Sequence, residues 1–337
     1  MKLITTLLNC IFLSTPLLPI YAQDAPKSLG RIEILDPALE DLLDISTPIE
    51  ILSSGHDWIE GPVWIKDGGY LLLSEIPKNQ ILKWAPNKSV SIFREPSGYT
   101  GLDKFTGREP GSNGLILDAQ GRLVMCCHGD RAVRRMEKGG NITTLAATYK
   151  GKRFNSPNDL VYHPNGDLFF TDPPYGLPKG FKDPGREIEW CGVYRLAKNG
   201  QINLVSKNIG SPNGIALSPD GKTLYVAQSN GQHANWTVFD VAEDGSTSNE
   251  RIFFDSTFLT KEWKGAPDGM VIDSKGNIWG SGPGGILIIS PEGKLLGRIL
   301  TGQHTSNATF GEGGSSLFIT ADMFLLRVKT KTKGQGY

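Results

Sequence analysis

The sequence has little cysteine, little histidine and no excess charge of either sign. It contains 4 Cys and 5 His among 337 residues, and 35 Lys and Arg balance 35 Asp and Glu. A balanced charge without a basic run argues against partners such as nucleic acid or an anionic membrane surface. No Cys-x-x-Cys pattern occurs, so Cys126, Cys127 and Cys191 indicate buried free thiols rather than a zinc site or a disulfide framework.

Several enzyme signatures are also missing. The chain has no Gly-x-Ser-x-Gly elbow, no His-Glu-x-x-His helix, no phosphate loop and no dinucleotide fingerprint. These absences argue against the common serine hydrolases, the zinc proteases and the nucleotide-binding enzymes. His56, His163, His233 and His304 show no metal-ligand spacing, and we expect structural roles for them.

Long apolar runs are restricted to the first 22 residues. Lys2 precedes a mostly apolar stretch that Pro16 and Pro19 interrupt, and Ala22 stands before a polar segment that starts at Gln23. This pattern predicts a cleaved secretory signal peptide over residues 1–22 rather than a membrane anchor. We therefore expect an exported protein, periplasmic or secreted, with no membrane attachment after cleavage.

Glycine and proline, in contrast, are abundant, with 41 Gly and 21 Pro. The segment Ser211-Pro-Asn-Gly214 is followed by a short apolar strand, an Asp220-Gly221 hairpin and a second strand. Six such units recur about 40–55 residues apart, which is typical of a β-propeller with four-stranded blades. They open at Glu60-Gly-Pro-Val-Trp64, Ser112-Asn-Gly-Leu-Ile116, Ser156-Pro-Asn-Asp-Leu160, Ser211-Pro-Asn-Gly-Ile215, Ala266-Pro-Asp-Gly-Met270 and Thr305-Ser-Asn-Ala-Thr309.

The sequence thus predicts an all-β, six-bladed β-propeller over residues 45–330. Residues 48–53 are expected to supply the missing strand of the last blade and close the ring. Residues 23–44 form a leader with a short helix or turn over residues 37–44, and residues 331–337 form a tail. A β-sandwich or a solenoid with accidental repeats is the alternative architecture.

Short oxygen-bearing side chains stand at the start of every unit. Since a propeller brings the entries of its inner strands to one mouth of the central channel, these side chains should converge. They are Glu60, Asn113, Asn158 with Asp159, Asn213, Asp268 and Asn307. Carboxylate and amide oxygens favour Ca²⁺ or Mg²⁺. Asn and Asp are also frequent in turns, but their recurrence at one position of different units favours a metal site.

The unit openings resemble the blade motifs of the senescence marker protein/regucalcin/gluconolactonase family, over about residues 45–330 and in the same order. Ser112-Asn-Gly-Leu115, His128-Gly-Asp-Arg131 and Thr171-Asp-Pro-Pro-Tyr-Gly176 are similar to the bacterial gluconolactonase branch. The resemblance implies a six-bladed propeller that hydrolyses sugar lactones, such as gluconolactone, to aldonic acids with one divalent cation. It implies Glu60, Asn158, Asn213 and Asp268 as the metal ligands and Asp268 as the acid/base, although a metal-activated water could share that role.

Further polar residues near the expected channel mouth are candidates for substrate binding. Asn113 opens the second unit, and His128 and Tyr175 follow inner strands. Residues 96–111 form an insertion that we interpret as a lid or specificity loop. Ca²⁺ is favoured over Mg²⁺, Mn²⁺ or Zn²⁺. The alternatives are a related propeller hydrolase acting on other lactones, esters or phosphotriesters, and a non-catalytic periplasmic binding propeller.

Overall fold

Short strands joined by tight turns give the chain its architecture, which a computed structural model describes for residues 28–337. Residues 1–27 lie outside this range, and with them the predicted signal peptide. Within residues 28–337 the regular elements are antiparallel strands and four short 3-10 helices. These helices are Pro37–Asp41, Gly180–Lys182, Thr257–Lys261 and Glu312–Gly314.

Six sheets arranged around a central channel form the blades, which confirms the predicted six-bladed propeller. The strands before and in the first two blades are β1 (Arg31–Ile34), β2 (Glu50–Ser54), β3 (Ile59–Ile65), β4 (Tyr70–Glu75), β5 (Gln80–Trp84), β6 (Ser91–Arg94), β7 (Ser112–Leu117), β8 (Leu123–Cys127), β9 (Ala132–Met136) and β10 (Ile142–Ala146). A small hairpin, β11 (Thr148–Tyr149) with β12 (Lys152–Arg153), follows blade 2.

Blades 3 to 6 repeat the same up-and-down order. Their strands are β13 (Leu160–Tyr162), β14 (Leu168–Asp172), β15 (Gly192–Leu196), β16 (Ile202–Ser206), β17 (Pro212–Leu217), β18 (Thr223–Gln228), β19 (Asn235–Val241), β20 (Thr247–Asp255), β21 (Met270–Ile272), β22 (Ile278–Gly282), β23 (Gly285–Ile289), β24 (Leu295–Leu300), β25 (Thr305–Gly311), β26 (Ser316–Ala321) and β27 (Phe324–Lys329).

The two strands that precede blade 1 complete other blades. Strand β2 pairs with β27 and supplies the fourth strand of blade 6, so the predicted closure of the ring is found. Strand β1 pairs with β24 and adds a fifth strand to blade 5. The expected short helix is the 3-10 helix Pro37–Asp41, which places Leu39 in the core. The described part of the leader therefore packs on the propeller.

Apolar side chains fill the space between neighbouring sheets. The largest of them, Trp236 and Trp279, are fully buried. Cys126, Cys127 and Cys191 are buried free thiols, as expected. No helix in the described range is long and apolar enough to span a membrane.

Candidate metal centre

Local irregularities occur at the start of the inner strands, where the polar opening residues stand. In blades 1, 2, 4 and 6 the pairing of the inner strand with its neighbour shifts at the opening residues. These shifts lie between Glu60 and Val63, Ser112 and Leu115, Pro212 and Ile215, and Thr305 and Asn307. A β-bulge interrupts the alternation of a strand and redirects a side chain. In blades 3 and 5 the inner strand begins only after the opening residues.

Hydrogen bonds between neighbouring blades join the openings around the channel. Ser74 Oγ donates to the carbonyl of Asn113 at 2.7 Å, and the next blades continue the pattern. The further links are Gly114 N to Asn158 O at 2.8 Å, Thr171 Oγ1 to Asn213 O at 2.7 Å, Gly269 N to Ser306 O at 2.7 Å and Ser306 Oγ to Ile59 O at 2.8 Å. The openings are thus held in a narrow ring.

Glycine after the polar residue permits this close approach. A Cβ atom on Gly61, whose φ is +49°, would lie 2.1 Å from the carbonyl oxygen of Asn113. A Cβ atom on Gly214 would lie 2.2 Å from the carbonyl oxygen of Asp268. Both distances are impossible for a real side chain, so only glycine lets adjacent inner strands touch here. The structure therefore brings the sequence-predicted openings together.

The four predicted ligands lie in this ring with little exposure. Glu60, Asn158 and Asn213 are 3%, 2% and 6% exposed, while Asp268 keeps a partly exposed surface. Burial raises the pKa of Glu60 well above its ordinary value, and the charge of Asp268 raises it further. Burial likewise raises the pKa of Asp268, together with the charges of Asp159 and Glu109. The centre is an acidic cluster.

Two other opening residues, Asp159 and Asn307, use their side-chain oxygens in hydrogen bonds to the backbone. Asp159 accepts hydrogen bonds from the backbone N–H groups of Leu160 at 2.9 Å and Ile215 at 3.2 Å, so it joins blade 3 to blade 4. Burial nevertheless raises the pKa of Asp159 to about 7. Asn307 Oδ1 accepts from the N–H of Ala308 at 2.8 Å. These oxygens are therefore less available to a ligand than those of Glu60 and Asp268.

The donor set fits a hard divalent cation. Within residues 28–337, neither Glu60 nor Asp268 forms a salt bridge with a lysine or arginine. Two like charges in one buried ring repel each other, and a dication would remove this repulsion. In the same range no three His, Cys, Asp or Glu side chains form a metal-binding cluster, so a site here must also use amide oxygens. Asn158 and Asn213 provide them.

Below the ring the channel continues as a cavity of about 180 Å³, lined by residues of all six inner strands and by Gln335. A larger cleft of about 760 Å³ lies elsewhere, between blades 2 and 3, and contains Asp118 and Arg122. In that cleft Arg122 is already paired with Asp118 and Glu137. The larger cleft contains none of the predicted site residues.

The predicted substrate-binding residues differ in their surroundings. Asn113 is 5% exposed and stands in the ring beside Glu60. His128 is 0% exposed, so in this structure it supports the site from behind rather than lining it. Its Nδ1 lies 3.0 Å from Glu109 Oε2, and its Nε2 lies 3.4 Å from Asn158 Nδ2.

Tyr175 lies close to Asp268. Burial raises the pKa of the Tyr175 hydroxyl, and the charge of Asp268 adds to this effect. The hydroxyl is enclosed; Ser229 and Ser211 approach it and oppose the rise in pKa, but neither forms a well-aligned hydrogen bond with it in the described part of the chain. Its ring packs edge-on against Phe181 at 6.0 Å. The hydroxyl is thus a weakly bonded polar group that feels the charge of Asp268.

The insertion, residues 96–111, is anchored at its base. Asn79 Oδ1 accepts the N–H groups of Gly98 at 2.8 Å and Tyr99 at 3.0 Å, and Asp130 accepts from Thr100. Glu109 lies near the C-terminal end of the insertion, and its charge raises the pKa values of Glu60 and Asp268. Our sequence reasoning missed Glu109, because a lone acidic residue in a loop has no motif; its neighbours become visible only in three dimensions.

Comparisons with known proteins identify the family and agree with the fold. A family model described as the SMP-30/gluconolactonase/LRE-like region matches residues 58–322. The gluconolactonase of Zymomonas mobilis is 41% identical over 314 residues, which cover 91% of this chain and 88% of that protein. The pentonolactonase XacC of Haloferax volcanii is 26% identical over 266 residues, which cover 77% of this chain and 80% of that protein.

Solved structures give the same result. The gluconolactonase of Xanthomonas campestris has 31% identity and a TM-score of 0.77, and the match covers 91% of this chain and 97% of that one. A regucalcin from Agrobacterium tumefaciens, described as a calcium-binding protein, has 18% identity and a TM-score of 0.66, with 85% of this chain and 94% of that chain covered. At this identity the second match shows the fold alone.

Proposed function

The chain belongs to the SMP-30/gluconolactonase/LRE-like family, and we propose that it hydrolyses sugar lactones with a divalent cation held by Glu60, Asn158, Asn213 and Asp268. The lactonase activity is supported by the gluconolactonase relatives, which match nearly the whole chain in sequence and in fold. The observation that carries the metal proposal is that two carboxylates, the buried Glu60 and the partly exposed Asp268, have no lysine or arginine partner within residues 28–337.

Each ligand has a distinct part in this proposal. Glu60 and Asp268 neutralise the charge of the cation, and Asn158 and Asn213 add neutral oxygens. Four protein ligands leave room for substrate, since Ca²⁺ takes about 6–8 oxygens. When bound, the cation would polarise the lactone carbonyl and stabilise the charge that develops on its oxygen.

We assign the proton transfers of lactone hydrolysis to Asp268. Of the two carboxylates, Asp268 retains surface at the channel mouth, and the Tyr175 hydroxyl lies near it. Its carboxylate can accept the proton of the attacking water and return it to the ring oxygen as the carbonyl carbon–oxygen bond breaks. The product is a hydroxy acid. Asn113 and the Tyr175 hydroxyl are proposed to bind sugar hydroxyls; Asn113 stands beside Glu60, and the Tyr175 hydroxyl has no well-aligned hydrogen bond within residues 28–337.

The decisive experiment measures acid release from a panel of sugar lactones after the protein is stripped of metal and reloaded with Ca²⁺, Mg²⁺, Mn²⁺ or Zn²⁺. Wild type is expected to lose turnover on chelation and to regain most of it with Ca²⁺, after subtraction of spontaneous hydrolysis. Glu60→Gln should lose turnover with its fold intact, whereas Asp103→Asn, which changes an exposed carboxylate of the insertion, should not. A folded wild type that binds lactone without turnover would favour the non-catalytic binding propeller.

Export is a separate proposal, which the composition of residues 1–22 supports. The mature protein is expected to begin at Gln23 and to be periplasmic or secreted. N-terminal sequencing of protein recovered from cell fractions tests this expectation. A full-length chain that starts at Met1 and remains in the cytosol would contradict it.

A further inference from the structure

We propose that Glu109 and His128 are positioning residues that fix the amide of Asn158, so that its oxygen rather than its nitrogen faces the cation. This inference rests on the proposed metal site and adds two residues that support it: Glu109 from the insertion and His128 after β8. Neither residue needs to touch the substrate for this role.

The three side chains form a continuous chain of contacts. Glu109 Oε2 lies 3.0 Å from His128 Nδ1, and Asn158 Nδ2 donates to His128 Nε2 at 3.4 Å. His128 is fully buried; its Nδ1 is close to Glu109 Oε2 but is not aligned with it as a hydrogen bond, and no other group within residues 28–337 satisfies this nitrogen. The imidazole is therefore bracketed by one carboxylate and one amide.

The tautomer of His128 decides which atom Asn158 presents to the ring. A neutral imidazole has one N–H and one acceptor nitrogen. A carboxylate beside Nδ1 holds the proton there, which leaves Nε2 as the acceptor for the Asn158 amide N–H. The Asn158 oxygen, which forms no hydrogen bond within residues 28–337, then remains for the cation. The opposite tautomer would turn the amide nitrogen inward, where a cation cannot bind it.

The insertion is built to hold Glu109 in this place. Its base is tied to Asn79 and Asp130, and Gly107 packs against Pro178 of the loop that carries Tyr175. Glu109 also acts on the ring directly, because its charge contributes to the raised pKa of Asp268. A carboxylate fixed so close to the candidate ligands is suited to orient one of them.

Calorimetric titration of metal-free protein with Ca²⁺ tests the proposal without depending on turnover. Glu109→Ala is expected to weaken Ca²⁺ binding roughly 10–100-fold, as the loss of an outer-shell partner typically does. Glu109→Gln keeps an acceptor for His128 Nδ1 and should remain within about 3-fold of wild type. Asp103→Asn, in the same insertion but exposed, is the matched control for charge and should bind as wild type does.

Two results would overturn the proposal. One is unchanged Ca²⁺ affinity in Glu109→Ala; the other is an equal loss in Glu109→Ala and Glu109→Gln, which would make charge rather than orientation the cause. In a double-mutant cycle, Glu109→Ala and His128→Phe should be strongly non-additive. If His128→Phe does not fold, the Ala and Gln variants of Glu109 carry the test alone. Failure of wild type itself to bind any divalent cation would refute the metal site and, with it, the role of Glu109 and His128 in orienting a ligand; unchanged affinity in Glu109→Ala refutes the orientation alone.

Discussion

The propeller contains two histidine–glutamate pairs with the same Nδ1–Oε2 distance of 3.0 Å, and their surroundings differ. His56 and Glu75 lie where the chain passes from blade 6 to blade 1, and His56 Nε2 contacts Ser53 Oγ at 2.9 Å. His128 and Glu109 lie beside the candidate metal centre, where Nε2 contacts Asn158 and the Nδ1–Oε2 contact, unlike that of His56, is not aligned as a hydrogen bond. The two pairs therefore differ in the partner of the second ring nitrogen: a strand serine for His56 and a candidate ligand for His128.

The glutamates differ as well. Glu75 Oε1 accepts the backbone N–H groups of Asp57 at 2.8 Å and Trp58 at 3.1 Å. Burial would raise the pKa of Glu75, but the hydrogen bonds from His56 and these backbone groups outweigh it and keep the pKa below its ordinary value. Glu109 has no backbone hydrogen bond of this kind within residues 28–337. Glu75, which accepts backbone hydrogen bonds, therefore stabilises the fold, whereas Glu109 has no such bonds within residues 28–337 and is available to orient a side chain of the candidate site.

The largest expected effect is a difference in lactonase activity between variants of the His56–Glu75 region and variants of the candidate metal centre. The contacts run from Ser53 Oγ to His56 and from His56 to Glu75, in the order of the Ser-His-acid triad of a serine hydrolase. We nevertheless expect Ser53→Ala to keep lactone hydrolysis within about 2-fold. Asp268→Asn should lower kcat/KM by roughly 10²–10⁴-fold, because it removes the proton-transfer group and a metal ligand. Steady-state rates on one lactone check both. Loss of activity in Ser53→Ala would reverse the assignment of the two regions.

For the free energy of unfolding we expect the opposite order, with a larger loss at Glu75 than at Glu109. Glu75→Ala leaves two backbone N–H groups and His56 without their acceptor, and we expect a loss of about 2–4 kcal/mol in the free energy of unfolding. Glu109→Ala should cost less than about 1 kcal/mol, since its carboxylate is partly exposed. Urea unfolding of the metal-free proteins measures the difference. Equal losses would mean that Glu109 also fastens the fold.

Calcium should stabilise the protein through the candidate metal centre and not through the His56–Glu75 pair. At a Ca²⁺ concentration of about 100 times Kd, the gain in unfolding free energy is expected to be about 2.7 kcal/mol. Glu75→Gln should show the same gain, and Glu60→Gln should show almost none. Thermal unfolding with and without chelator gives both values. A gain that persists in Glu60→Gln would place the cation elsewhere.

The smallest effect is a pH dependence from Glu75. Because its pKa is lower in the folded than in the unfolded chain, Glu75 binds fewer protons when folded, so its contribution to stability is present above the ordinary glutamate value of 4.5 and declines as the pH falls. The stability difference between wild type and Glu75→Gln should be constant above about pH 5 and shrink below it. Unfolding at a series of pH values tests this. A difference that grows on acidification would contradict the lowered pKa.

The fold was largely predictable from sequence, because its signals are local and repeated. The Asp220-Gly221 hairpin and the Pro-Asn-Gly turn before it mark one blade, and five related units mark the others. Even the closing strand β2 was anticipated, since one blade lacked a strand. Strand β1 was not, because four residues, Arg31–Ile34, have too little pattern to identify a partner 265 residues away at Arg298.

The candidate site was predictable in part, for a physical reason. Glu60 and Asp268 occupy the same position in their repeats, so the fold itself predicts that they converge. Glu109 lies in an insertion outside the repeat, and nothing local tells that it reaches His128. The burial of His128 was also not foreseen, because the sequence shows that a loop follows β8 but not what covers it.

The closing strand has a consequence for the order of events during synthesis. Glu50 of β2 and Arg327 of β27 are 277 residues apart in the chain, and they are joined by a hydrogen bond in blade 6. The ribosome produces β2 early and its partner last, so blade 6 must wait for the whole chain while earlier blades assemble from neighbouring strands. A nascent chain released before β27 would keep an unpaired β2 edge, which is a template for association with other chains.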